Sequence, residues 1–181
     1  MEENKMKTAA ELRELNKGRF IDQVCYVTDD YRRTIEYFTE MLEMGPWTII
    51  ENTEEAAYDV KLDGEPLTEP WKFYLAFTKV GNVGIEVIQP VSGKDPYSAF
   101  LKEKGPGIHH IKESIYSNNE NLRKYMDELV ARGHEIIYEG KYMEDIYYYI
   151  DTNKDLGAYY EVGNSATCSG HPILVGYYPE K

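Results

Sequence analysis

Cysteine is scarce in this 181-residue chain, with Cys25 and Cys168 the two present. One sits in an expected strand and the other in an expected loop, which makes neither a disulfide framework nor a cysteine-based zinc site. The expected compartment is a reducing cytoplasm. Long apolar runs are also missing. No stretch approaches the roughly 20 residues that a helix needs to cross a bilayer. The opening MEENKMKTAAELREL has no apolar core, so no signal peptide is expected. Positive charge is the third deficit: 20 Lys and Arg stand against 32 Asp and Glu, a formal net charge of −12. That balance argues against a nucleic-acid binder, which needs a basic face, and against a polybasic membrane anchor. A local basic pocket for a phosphate or CoA tail is compatible with it. The length suits one domain or two small modules sharing a core. Tyrosine is abundant, 17 residues in an aromatic share of 13%, a density that suits a pocket or an interface as well as strands.

Residues 1–18 are expected to form a short amphipathic helix, with Thr8 and Glu11 as a capping box and Ala9, Leu12 and Leu15 on one face. Phe20 to Val27 reads as a strand, followed by a helix start at Thr28 or Asp29 and apolar residues Ile35, Phe38 and Leu42 at helical spacing. Further strands are expected at Trp47–Ile50, Tyr58–Leu62, Trp71–Val80 and Val83–Ile88, with Gly81-Asn82 as a hairpin turn. The first module therefore spans 19–90. A linker, 91–107, carries a short amphipathic piece through Phe100 and Leu101. The second module, 108–163, has a strand at Ile108–Ile115 and a helix capped by Asn118 or Asn119 with Leu122, Tyr125, Met126 and Leu129. Strands at Glu135–Glu139, Asp145–Ile150 and Ala158–Val162 complete it. Residues 164–181 read as a polar tail with an apolar patch at Ile173-Leu174-Val175.

The order strand–helix–strand–strand–strand thus occurs twice. An offset of 87 residues carries Gln23 onto His110, and Ile35, Phe38 and Leu42 onto Leu122, Tyr125 and Leu129. Glu86 and Glu161 fall at equivalent points of the last strands at an offset of 75, and the loop Asp63–Pro70 is the expected source of most of the difference. A repeated supersecondary unit implies that neither half buries its sheet alone. The fold class expected is α+β, two pseudo-symmetric βαβββ modules forming a cupped, partly open sheet with a shared concave face.

The repeat singles out Gln23, Glu86, His110 and Glu161, polar residues in strands otherwise apolar or aromatic. A buried carboxylate needs a partner or a cation. One imidazole, two carboxylates and an amide form a mixed N/O set suited to Zn, Ni, Co, Mn or Fe. For any one residue the plain alternative is a side chain pointing to solvent. Four repeat-equivalent positions make that alternative weaker, because sheet faces alternate with period two.

The stretches Ile21-Asp22-Gln23-Val24, Gly84 to Pro90, Gly105-Pro106-Gly107-Ile108-His109-His110-Ile111 and Gly157 to Val162 resemble the vicinal oxygen chelate superfamily. That group holds glyoxalase I, methylmalonyl-CoA epimerase, extradiol dioxygenases and bleomycin-resistance proteins. The resemblance covers residues 19–164 and is strongest toward methylmalonyl-CoA epimerases and glyoxalase-like proteins. It implies one divalent ion (Zn, Ni, Co or Mn) held by Gln23, Glu86, His110 and Glu161, with His109 on the opposite side of the sheet. It implies a metal-dependent lyase or isomerase that abstracts a proton beside a metal-polarised carbonyl of a thioester or hemithioacetal. Glu161 is the expected base, provided that burial raises its pKa, and Glu86 its partner on the other face. Epimerases and bacterial glyoxalases usually carry His where this chain has Gln23, whereas Gln/Glu/His/Glu is the set of animal-type glyoxalase I. Gln23 also removes the second His of an iron-dioxygenase triad. The alternative function is a non-catalytic, resistance-type binding protein on the same fold. Implied partners are a small-molecule substrate and a second copy in a homodimer, with no nucleic acid and no membrane. Tyr147, Tyr148, Tyr149, Tyr159 and Tyr160 alternate across strands and are expected to pack the sheet or line the cavity. His134, His171, Lys102, Lys104 and the Glu54-Glu55 pair read as surface groups outside the site.

Overall fold

The computed structural model describes residues 6–115, 119–164 and 173–180. The elements in chain order are α1 (Ala9–Leu15), β1 (Phe20–Val27), α2 (Tyr31–Leu42), β2 (Trp47–Thr53), β3 (Ala57–Leu62), β4 (Glu65–Pro66), β5 (Lys72–Val80) and β6 (Val83–Ser92). They continue with α3 (Pro96–Lys104), β7 (Gly107–Ser114), α4 (Asn119–Ala131), β8 (Ile136–Tyr142), β9 (Asp145–Ile150), α5 (Asn153–Leu156), β10 (Tyr159–Gly163) and β11 (Leu174–Tyr178). All eleven strands join one sheet in the order β11-β2-β5-β6-β1-β7-β10-β9-β8-β3-β4. The two repeats lie side by side. β1 runs parallel to β6 as β7 does to β10, and β1 meets β7 antiparallel at the join. The central strands therefore belong to one chain, and so does the concave face they build.

The helices form where their apolar spacing meets that sheet. In α2, Tyr31 and Ile35 pack against Trp47, Ile49, Ala76 and Val87; in α4, Leu122, Met126 and Leu129 pack against Ile150 and Val162. Each fully buried large side chain stabilises the fold by about 1.5–3 kcal/mol. The start of α2 differs from expectation. Asp30, not Thr28 or Asp29, is the N-cap and accepts from the Arg33 amide at 3.1 Å. Thr28 instead accepts from the Asp30 amide at 3.2 Å, which shapes the approach to the cap. Helix α1 carries the expected capping box, yet none of its residues is buried. No helix among the described residues is long and apolar enough to cross a membrane.

Three features extend the architecture read from the sequence. β6 runs to Ser92, four residues past Ile88, because β5 continues to pair with it through Phe73 and Lys72. The apolar patch at the tail is strand β11, paired with β2 from Trp47 to Ile50. β3 leaves the other long strands of the first repeat and pairs with β8 of the second, with short β4 on its other edge. β2 and β3 stand eight strand spacings apart in the sheet, about 38 Å if it were flat. Yet only residues 54–56 link them, a reach of roughly 14 Å. The sheet has to curl until its two flanks approach each other. The concave side is filled by Trp71 just before β5, by Phe73, Tyr138 and Tyr149 from the strands and by Tyr97 and Phe100 from α3. Asp95 caps α3 with Pro96 in its first turn, which sets that helix inside the cup.

Candidate functional site

On the central strands, period-two alternation directs Gln23, Cys25 and Val27 to the concave face, while Tyr26 meets Phe38 of α2 on the other side. Register then builds the site. Cys25 lies opposite Glu86 of β6 on one side and His110 of β7 on the other, and Gln23 lies opposite Lys112. Glu161 of β10 is the next neighbour of Lys112. The four residues expected from the repeat do come together. Gln23 Nε2 donates to Glu86 Oε2 at 3.3 Å and stands 3.4 Å from His110 Nε2. His110 Nε2 is 2.9 Å from Glu161 Oε2 and 3.5 Å from Glu86 Oε2. His110 is fully buried, and Glu86 and Glu161 are 9% and 3% exposed.

Two groups were not singled out by the repeat. Cys25, Glu86 and His110 offer ligand atoms that all lie within 4.8 Å of one another. The signal for Cys25 was its place two residues after Gln23, hence on the same face. Lys112, two residues after His110, was legible in the same way. Its ammonium lies 2.9 Å from Glu161 Oε1 and 3.1 Å from Asp145 Oδ2. Gly163 makes room for it, since a Cβ there would stand 2.8 Å from Lys112 Cε.

Electrostatics set the proton positions. Burial alone would raise the Glu161 carboxyl, but the Lys112 ammonium and His110 outweigh it and hold it at about 2. Burial alone would lower His110, but Glu161 and Glu86 outweigh it and raise its pKa. The Cys25 thiol is pushed up by burial and by Glu86. The donor set fits a divalent ion. Donors held 2.0–2.2 Å from one ion stand about 3.0–3.5 Å apart, close to the spacings of 2.9, 3.3, 3.4 and 3.5 Å found here. Turning the Gln23 amide by half a rotation presents its oxygen to the same point.

His109 is a correction. It does not face the opposite side of the sheet. Between Cys25/His110 and Tyr26/Ile108 the register of β1 and β7 shifts by one residue, and His109 is the extra one. This bulge turns its ring to the concave side, where it is fully buried. Tyr147, Tyr149 and Tyr159 join the concave cluster, whereas Tyr148 and Tyr160 pack on the convex side. His134, Lys102, Lys104, Glu54 and Glu55 are exposed. Cys168, Asn118 and His171 lie outside the described residues.

A second buried charge lies on the convex side. Glu113 is 1% exposed and is gripped by both Arg19 Nε and Arg19 Nη2, the latter at 2.6 Å. Tyr160 donates to it at 2.6 Å. This clamp joins the segment after α1 to β7.

Comparison with known proteins agrees with this architecture. The chain is 36% identical to the uncharacterized protein YqjC of Bacillus subtilis (strain 168) over 62 residues, 34% of this chain and 44% of that protein. The chain thus matches less than half of that relative's length. A hypothetical protein from Bacillus halodurans C-125 superposes with a TM-score of 0.58 at 16% identity, covering 85% of this chain and 99% of that one. Methylmalonyl-CoA epimerase from Mycobacterium tuberculosis superposes with a TM-score of 0.55 at 17% identity, covering 81% and 87%. These structural likenesses speak to the fold. Residues 22–149 match the family model described as the glyoxalase/bleomycin resistance protein/dioxygenase superfamily, and the chain belongs to that superfamily.

Proposed function

We propose that this chain is a metal-dependent lyase or isomerase of the glyoxalase/epimerase type. The observation that carries the reading is the convergence of Gln23, Glu86 and Glu161 on His110 Nε2 at the edge lengths of a coordination polyhedron. Gln23, Glu86, His110 and Glu161 would hold one Zn, Ni, Co or Mn ion, with the Cys25 thiol beside them. Bound there, a divalent ion supplies Lewis acidity toward a carbonyl oxygen.

The two carboxylates have unequal freedom. Glu161 is fixed on one oxygen by His110 and on the other by Lys112. Its environment suits a permanent anion beside His110 and Lys112. Glu86 makes weaker contacts, at 3.3 and 3.5 Å, and is the more exposed of the two. We therefore assign the proton transfer to Glu86 Oε2. The substrate class is a small molecule with an acidic C–H beside a thioester or hemithioacetal. The epimerases among the structural neighbours favour a CoA thioester within that class. The proposal includes a homodimer in the cytoplasm, which gel filtration and fractionation test. An aromatic cup lined by Trp71, Phe73, Tyr97, Tyr138 and Tyr149 favours one second reading, a resistance-type binder of small molecules without turnover.

Solvent-deuterium exchange separates the two. Zinc-, nickel- or cobalt-loaded protein is incubated in D2O with methylmalonyl-CoA and with the methylglyoxal–glutathione adduct, and the C–H signal is followed by NMR. Exchange that disappears in Glu86→Gln is expected. Exchange that survives in Glu86→Gln and disappears in Glu161→Gln reverses the roles of the two carboxylates. Tight binding without exchange under any metal supports the binder.

A further inference from the structure

His109 and His110 are consecutive, yet both rings lie on the concave side and both are fully buried. The bulge in β7 makes that possible. Their Nδ1 atoms are 2.9 Å apart. At that separation one proton lies between the two nitrogens, since two lone pairs or two N–H groups would repel. An imidazole that binds an ion through Nε2 carries its proton on Nδ1 and needs an acceptor for it. The acceptor facing His110 Nδ1 is His109.

We propose that His109 is a positioning residue. Its Nδ1 accepts the His110 Nδ1–H, which fixes the tautomer and the ring plane of His110 and aims His110 Nε2 at the donor cluster. The inference rests on the metal-site reading above. The surroundings of His109 suit the role. Tyr97, Phe100, Tyr149 and Tyr159 enclose its ring at centroid distances of 4.9, 5.1, 5.8 and 4.9 Å. Such a cage would accept Phe if packing were the whole purpose. The ring's other polar neighbour is the Pro96 backbone, which Nε2 meets without good alignment, so the bond to His110 is the ring's well-formed side-chain hydrogen bond.

The test uses His109→Phe, which keeps the ring and removes the acceptor, and His109→Gln, whose amide oxygen restores an acceptor. Zinc affinity of the full chain is measured by competition with a chromophoric chelator. The loss of a group that orients a ligand weakens metal binding about 10- to 100-fold. That loss is expected for His109→Phe, with cooperative metal-free melting that shows the variant folded and with most of the affinity recovered in His109→Gln. Imidazole-15N NMR of the zinc-loaded parent protein gives a readout that needs no variant. His110 is expected protonated at Nδ1 and His109 at Nε2. Parent-like zinc affinity in His109→Phe, or a bare His110 Nδ1, overturns the inference and leaves the metal site standing. A parent protein that takes up none of zinc, nickel, cobalt and manganese overturns both.

Discussion

Lys112 is the charge on which the site's balance depends, and Lys112→Met tests it. Its ammonium is buried between Glu161 and Asp145, at 2.9 and 3.1 Å. Methionine fills the volume of the stem with a flexible apolar chain and deletes the charge. Removing one partner of a buried ion pair costs about 3–5 kcal/mol, because the group left behind stays buried and unpaired. Here two carboxylates are left facing each other. In a chain of this size 1 kcal/mol moves the melting temperature by about 2–4 °C, so a fall of roughly 6–20 °C is expected for metal-free protein at neutral pH. Zinc should return more stability to the variant than to the parent, since an ion at the cluster replaces the missing cation. A hundredfold excess over Kd is worth about 2.7 kcal/mol. Calorimetric or circular-dichroism melting with and without zinc reads both quantities. A melting temperature within about 2 °C of the parent would refute the reasoning, since it would make Lys112 a surface-type charge of little worth.

Gly163→Ala should act in the same direction, because its Cβ would stand 2.8 Å from Lys112 Cε and 2.9 Å from the Ile146 carbonyl oxygen. A loss of about 1–3 kcal/mol is expected in urea unfolding, and a neutral result would contradict the close fit. Arg19→Leu leaves Glu113 buried, with the Tyr160 and Tyr125 hydroxyls as its partners among the described residues. It should cost about 3 kcal/mol, most of it recovered when Glu113→Gln is added; strict additivity of the two changes would show that the clamp is not coupled. Asp95 provides a pH signature, since burial, opposed by Ser98, raises its carboxyl above 3.8. The folded state then binds more protons than the unfolded state. The stability this group contributes is present below 3.8 and is lost as the pH rises through its folded pKa. Asp95→Asn keeps a side-chain cap and removes that loss. The variant should gain on the parent across that window and hold a constant lead above it. A lead that shrinks with rising pH would contradict the shift.

The repeat was the most legible part of the fold. An offset of 87 aligned β1 with β7 and α2 with α4, because each pair does the same work against the sheet. The offset also brought together Gln23 and His110, whose side chains meet at 3.4 Å. Cys25 and Lys112 were passed over, although period two from Gln23 and His110 places them on the same face, because a thiol and an ammonium give no signal of their own in an apolar strand. His109 was misplaced because strict alternation holds only without a bulge, and the Gly105-Pro106-Gly107 run just before it reads as the end of the linker. β3 reads as an ordinary strand; that it pairs with β8 depends on how far the whole sheet curls. β11 grows from a short apolar patch in an otherwise polar tail, and pairing with β2 makes it a strand.

The most direct test of the central claim is metal stoichiometry. Parent protein and His110→Ala, each stripped and then loaded with zinc, nickel, cobalt or manganese, are desalted and assayed by elemental analysis alongside melting curves that establish folding. The account predicts about one divalent ion retained per parent chain and none in folded His110→Ala. Parent protein that retains no ion under any loading, or His110→Ala that retains as much as the parent, would contradict it.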